Sequence, residues 1–170
     1  SGDKPFPGPQ AGLAVGRKDL VSRMAEHPIA RVVRPDKLTF AALAATLAAW
    51  KTDRWREFPV YRAAAAPIDA LEARGARIRD GAGGATPTIE VVPSLCLFGG
   101  GTSPEKRFAS RALAVSVDGF APDELVSRLR SATPPVIGRV EEGQLLLDLR
   151  SILPEEDGIV ERALRELGGS

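Results

Sequence analysis

Ser1-Gly2-Asp3-Lys4-Pro5-Phe6-Pro7-Gly8-Pro9-Gln10-Ala11-Gly12 is the stretch on which the reading of this chain turns. One lysine sits in a run of Gly, Pro, Ser and Asp, and the apolar Leu13-Ala14-Val15-Gly16 follows at once. Gly and Pro hold an irregular backbone, and such loops commonly carry function on a rigid scaffold. A lysine in that setting, beside an acid, is a candidate for Schiff-base chemistry, which needs an amine able to lose its proton. The competing reading is a solvated lysine near a frayed terminus.

A second basic element lies in His27-Pro28-Ile29-Ala30-Arg31-Val32-Val33-Arg34-Pro35-Asp36-Lys37. Arg31 and Arg34 share one face if the segment is a helical turn, and two guanidinium groups converging there suit a phosphate-like anion. A solvated basic face is the alternative. His27, the one histidine, precedes a proline and so sits where a helix should end. That favours a structural role over general-base catalysis, since nothing nearby completes a catalytic pair.

These two stretches and the closing blocks Pro135-Val136-Ile137-Gly138-Arg139-Val140-Glu141 and Leu145-Leu146-Leu147-Asp148-Leu149-Arg150 resemble, in order, the bacterial selenocysteine synthases, or L-seryl-tRNA(Sec) selenium transferases. In that family the lysine of Ser-Gly-Asp-Lys forms the internal aldimine with pyridoxal 5'-phosphate, and the matching residue here is Lys4. The family's usual aliphatic residues after the lysine are replaced by Pro5, Phe6 and Pro7, a stiffer loop. The two matching arginines of the family contribute to an anion site for selenophosphate, reached across a subunit contact, which implies that role for Arg31 and Arg34. An aliphatic residue usually stands where this chain has Pro35.

The resemblance further implies the C-terminal part of a fold-type-I PLP-dependent transferase, α/β passing into α+β. Residues 1–36 would end the large cofactor-binding domain, 37–87 would be connecting helices, and 88–170 a small two-layer α+β domain. The implied reaction converts seryl-tRNA(Sec) to selenocysteinyl-tRNA(Sec) through an aminoacrylyl intermediate. tRNA contacts would come from parts of the enzyme outside this chain, the fragment alone would be inactive, and the complete enzyme would be a cytoplasmic homo-oligomer. A related PLP-dependent lyase on the same scaffold and a non-catalytic interaction module remain as alternatives.

Composition bounds the rest. The chain has 170 residues, 44% hydrophobic and 26% charged, which suits a globular protein. A formal charge of +1 gives no global basic field for nucleic acid. The one cysteine, Cys96, excludes an intrachain disulfide and reads as a buried, inert thiol. No apolar run reaches the ~18 residues of a membrane span, and no metal-ligand spacing is present.

Along the chain, 13–16 reads as a short buried strand and 17–26 as a helix. Asp36 should cap a helix from Lys37 to about Lys51, with Phe40, Leu43, Leu47 and Trp50 as one apolar stripe facing a core or a subunit contact. Trp55, Phe58 and Tyr61 read as a helix-end cluster rather than a base-stacking surface. A helix over 67–77 and a loop at 80–84 follow. Strands are expected at 89–92, 111–117, 136–140 and 144–149, a turn-rich, Gly-rich segment at 94–103, and helices at 122–132 and 154–167. The Gly-rich run lacks the Gly-Lys-Ser/Thr of a phosphate loop. Arg139 and Arg150 are expected to be structural.

Overall fold

The computed structural model describes residues 1–4, 6–97 and 107–168. Two compact units divide it at Tyr61 and Arg62, within the 37–87 segment.

In the first unit, helix α1 (Lys18–Glu26) runs into the short α2 (Pro28–Val32), and α3 (Lys37–Lys51) follows. A 3-10 turn at Arg54–Glu57 leads to α4 (Pro59–Ala65), whose residues from Arg62 onward belong to the second unit. Asp36 caps α3 as expected, its Oδ1 accepting the Leu38 and Thr39 amides at 2.7 and 2.9 Å. These bonds, the Thr39 amide foremost, hold the Asp36 carboxyl below the usual carboxylate value. Two expectations change. Residues 13–16 are not a strand: among the described residues no strand lies alongside to take their backbone hydrogen bonds, and Val15 is fully exposed. Of the two roles expected for the α3 stripe, core or subunit contact, the core is excluded within this chain, because Phe40, Leu47 and Trp50 are exposed and Leu43 is half-buried.

Only Gly2 and Thr46 are buried among the described residues of this unit, so hydrophobic burial contributes little to it. Aromatic packing and caps take its place. Trp50 stacks on Trp55 with ring centroids 5.5 Å apart, and Tyr61 meets both edge-on at 5.5 and 5.7 Å. Phe58 joins at 6.4 Å, and the Arg56 guanidinium lies 4.6 Å from the Trp55 ring centroid. The cluster therefore packs on itself, as the spacing of its residues suggests.

The second unit is a two-layer α+β fold. Strands β1 (Thr88–Leu97), β2 (Arg107–Ser116), β3 (Arg139–Glu141) and β4 (Gln144–Asp148) form an antiparallel sheet in the order β1-β2-β4-β3. Helices α5 (Ile68–Ala82), α6 (Pro122–Ser131) and α7 (Asp157–Gly168) supply the other layer. Strand alternation sends Leu113, Val115, Leu145 and Leu147 toward the helices, where they meet Leu71, Ile78, Leu125, Leu129, Val160 and Leu164. Each fully buried leucine is worth about 1.5–3 kcal/mol relative to exposure, so this core dominates the stability of the unit. The opposite face carries Ala112, Ala114, Leu146 and Val92.

Several boundaries move. Helix α5 continues through Gly81, expected in a loop; a Cβ there would lie 2.8 Å from the Glu161 carboxylate carbon, so the Glu161 side chain of α7 rests against this glycine. The Arg165 guanidinium then donates to the Gly81 carbonyl at 2.8 Å. Strand β1 runs to Leu97 through what reads as a turn, because its register with β2 continues to Leu97 opposite Arg107. β2 accordingly begins at Arg107 rather than Arg111. Pro93 is accommodated because β1 is an edge strand. The Gly-rich run at 99–103 lies outside the described residues. β3 is short, since the Val136 amide is drawn to the Leu129 carbonyl at 2.9 Å and its side chain joins the core. The expected hairpin stands, with Glu142 and Gly143 at φ 49° and 74°. The last helix is preceded by a 3-10 turn at Pro154–Glu156.

Charged side chains tie this unit together. Arg74, buried in α5, bonds both Asp157 oxygens through Nε at 2.7 and 2.9 Å. Its Nη1 donates to the Leu149 and Ile152 carbonyls at 2.8 and 2.9 Å. Buried Asp148 accepts from Ser94 and Ser110, each at 2.7 Å, and from the Arg150 amide at 3.0 Å. Arg150 donates to the Ala109 carbonyl at 2.9 Å, and Arg139 to Ser94 at 2.8 Å, so both arginines are structural. Cys96 is half-buried rather than buried; burial, then the Asp148 charge, pushes its thiol up, which fits an unreactive group.

Candidate functional site

The lysine loop closes on itself. The Gly2 amide donates to the Ala11 carbonyl at 2.8 Å, and the Gly8 amide to the Gly2 carbonyl at 2.9 Å. Gly2 is buried, and a Cβ on it would stand 2.5 Å from the Pro9 carbonyl oxygen, so only glycine permits this closure. Lys4 is exposed at the turn, and its ammonium makes no hydrogen bond or salt bridge among the described residues. Beside it, Asp3 accepts a hydrogen bond from the Ser1 hydroxyl. That bond first, and the Lys4 charge to a smaller degree, holds the Asp3 carboxyl below its usual value against a small opposing effect of burial.

Phe6 anchors the loop. Its ring stacks on Trp50 at 6.2 Å with 19° between planes, which ties the lysine loop to the end of α3. Neither residue signals this contact locally; the one hint in sequence is an aromatic residue placed between two prolines.

The basic element is organised by two caps. His27 ends α1, its amide donating to the Met24 carbonyl at 3.3 Å, and begins α2, its Nδ1 accepting the Ile29 amide at 3.2 Å. The structural role expected of His27 is therefore the one observed. Helix α2 stops at Val32, so Arg31 lies on it and Arg34 does not. The expectation of one helical face is corrected accordingly: the Val33 amide closes on the Ile29 carbonyl at 3.1 Å, and Pro35, which disfavours helix at Arg34, follows. Both arginines are exposed, with no hydrogen bond or ion pair among the described residues. No such bond joins either of them to Lys4.

An unpaired amine on a closed loop fits covalent attachment of an aldehyde-bearing cofactor such as pyridoxal 5'-phosphate. The described residues show fit for that attachment alone, with no phosphate cradle or ring partner assigned. They also contain no group of three or more His, Cys, Asp or Glu able to hold a metal ion, and no helix long and apolar enough to cross a membrane.

These features define a chain that joins a lysine-bearing loop and a basic, doubly capped turn to an α+β module. The sequence profile of L-seryl-tRNA selenium transferases matches residues 1–153. The chain is 39% identical over 168 residues to the L-seryl-tRNA(Sec) selenium transferase of Hyphomonas neptunium, covering 95% of this chain and 36% of that protein. It is 39% identical over 173 residues to that of Geobacter sulfurreducens, covering 98% and 37%. With that of Aquifex aeolicus the identity is 36% over 171 residues, again 98% and 37%. The chain belongs to the L-seryl-tRNA selenium transferase family. It spans little more than a third of the length of these relatives, 36–37%.

Proposed function

We propose that this chain is the C-terminal part of an enzyme that moves selenium from selenophosphate onto seryl-tRNA(Sec), using pyridoxal 5'-phosphate attached at Lys4. The reading rests on one observation: the stretch matched by the family includes the loop that presents Lys4, exposed and without a hydrogen bond or ion pair among the described residues. When bound, the cofactor supplies an electron sink for carbanion chemistry at the seryl α-carbon. Lys4 Nζ would hold the cofactor at its aldehyde carbon, and as a free amine it would take the α-proton and return it. Over the whole reaction the β-carbon loses its hydroxyl as water and gains selenium, while a water cleaves the P–Se bond, supplying the fourth oxygen of the phosphate that leaves. Arg31 and Arg34 hold the phosphoryl oxygens of selenophosphate, with guanidinium groups that nothing else among the described residues engages.

In this reading residues 1–36 complete the cofactor-binding domain, 37–87 connect, and 88–170 form the small domain, with α5 packed on its sheet. The remaining cofactor and tRNA contacts come from outside this chain, and the complete protein is a cytoplasmic homo-oligomer. Exposed Leu20, Met24, Leu38 and Phe40 support a subunit contact on the first unit.

Reduction of the intact protein with borohydride in the presence of pyridoxal 5'-phosphate tests the assignment. Peptide mapping should place the modification on Lys4, and Lys4→Ala should abolish it together with selenium transfer. Modification and turnover that survive in Lys4→Ala refute it. Replacing Arg31 and Arg34 together by Ala should impair selenophosphate use and leave cofactor attachment intact.

A further inference from the structure

We infer that His27 is a positioning residue for the anion site, acting through α2 on Arg31; this rests on the role proposed for Arg31 above. Three groups of His27 are spent on the α1–α2 joint. Its amide donates to the Met24 carbonyl at 3.3 Å, its carbonyl accepts the Ala30 amide at 2.9 Å, and its Nδ1 accepts the Ile29 amide at 3.2 Å. Because Nδ1 accepts, the ring proton belongs on Nε2.

Helix α2 depends on this cap more than most helices do. It has five residues, and none of them is buried. Ile29 and Val32 are largely exposed, at 61% and 82%. A helix this short does not persist in water through propensity alone. Burial does not hold it here, so the N-terminal cap and the closing bond from the Val33 amide to the Ile29 carbonyl at 3.1 Å remain. Pro28 has no amide to satisfy and presets the first turn. Ile29 N–H is thus bonded by the imidazole and Ala30 N–H by the His27 carbonyl, and the residue carried next on this turn is Arg31. Losing the imidazole acceptor frees the Ile29 amide and loosens the turn that orients the Arg31 guanidinium. Lys4 sits on a loop closed by other bonds, so cofactor attachment does not depend on His27.

The test uses the intact enzyme, with inorganic phosphate as competitive inhibitor and selenophosphate as substrate. His27→Ala should raise the KM for selenophosphate and the inhibition constant of phosphate by about five-fold, the factor expected of an ordinary N-cap. kcat and the borohydride-trapped label on Lys4 should be unchanged. His27→Asn, whose short side-chain oxygen also caps, should restore both constants, whereas the longer His27→Gln should not. Added to Arg31→Ala, His27→Ala should have no further effect, as required of a residue that works through Arg31. His27→Ala with normal constants, His27→Asn no better than His27→Ala, or additive losses in the double variant would each overturn the inference while the anion site itself stands. Normal phosphate affinity in Arg31→Ala would instead remove the anion-site reading, and the role of His27 with it.

Discussion

Replacing Arg74 by Met removes the most heavily bonded buried charge in the α+β unit. The Arg74 side chain is 7% exposed and its partner Asp157 20%. Breaking a buried ion pair by deleting one partner costs about 3–5 kcal/mol, because a desolvated charge is left behind. Asp157 retains some access to water, which favours the lower end. The Leu149 and Ile152 carbonyls each lose a donor as well, at about 1 kcal/mol apiece where water does not replace it. The expected loss is therefore about 3–5 kcal/mol, which corresponds to a fall in Tm of about 12–40 °C for a domain of this size. Both tryptophans and the one tyrosine lie in the first unit, at Trp50, Trp55 and Tyr61. Far-UV circular dichroism in urea, which follows the helices and strands of the α+β unit itself, is therefore the suitable assay. Arg74→Met combined with Asp157→Leu should recover most of the loss, since an apolar pair commonly replaces a buried ion pair at little cost. A single variant that loses less than about 1 kcal/mol, or a double variant as unstable as the single, would refute the reasoning.

Phe6→Ala should release the lysine loop from Trp50 at a cost of about 0.5–1.5 kcal/mol in aromatic packing. It should shift tryptophan emission and speed proteolysis near residue 6; unchanged emission and cleavage would count against the contact. Acid should uncap α3. The Asp36 carboxyl is held below its ordinary value in the folded chain, so its contribution is fully present above about pH 4. That contribution is lost as pH falls through the lowered folded value. Amide exchange at Leu38 and Thr39 should accelerate over that range, and Asp36→Ala should exchange fast at every pH.

How far the sequence could be read depended on how local each signal was. The Asp36 cap, the break at His27-Pro28 and the Glu142-Gly143 hairpin are written within a few residues, and each was legible. So was the order of strands and helices from Thr88 onward. Some misread segments are those where a distant partner overrides local chemistry; others, such as residues 13–16, lack the neighbouring strand their apolar sequence suggests. Gly81 is helical with its carbonyl bonded by Arg165 of α7, and Ser94 to Leu97 stay extended because β2 pairs with them. Arg74 and Asp157 are 83 positions apart, and Ser110 and Asp148 are 38 apart; neither pair leaves a pattern in composition or periodicity. At the candidate site, motif order drew attention to Lys4, Arg31 and Arg34. The stacking of Phe6 on Trp50, and the use of His27 Nδ1 as a cap, emerged only with the coordinates.

The margins of the sheet bear on how copies of this chain can meet. One border is β1, interrupted by Pro93, which has no amide to offer an incoming strand; the other is β3, with three residues. Neither border is a good template for strand addition. Copies of this unit brought close together are therefore not driven to fuse their sheets, and a partner of the unit is met by side chains rather than by backbone amides.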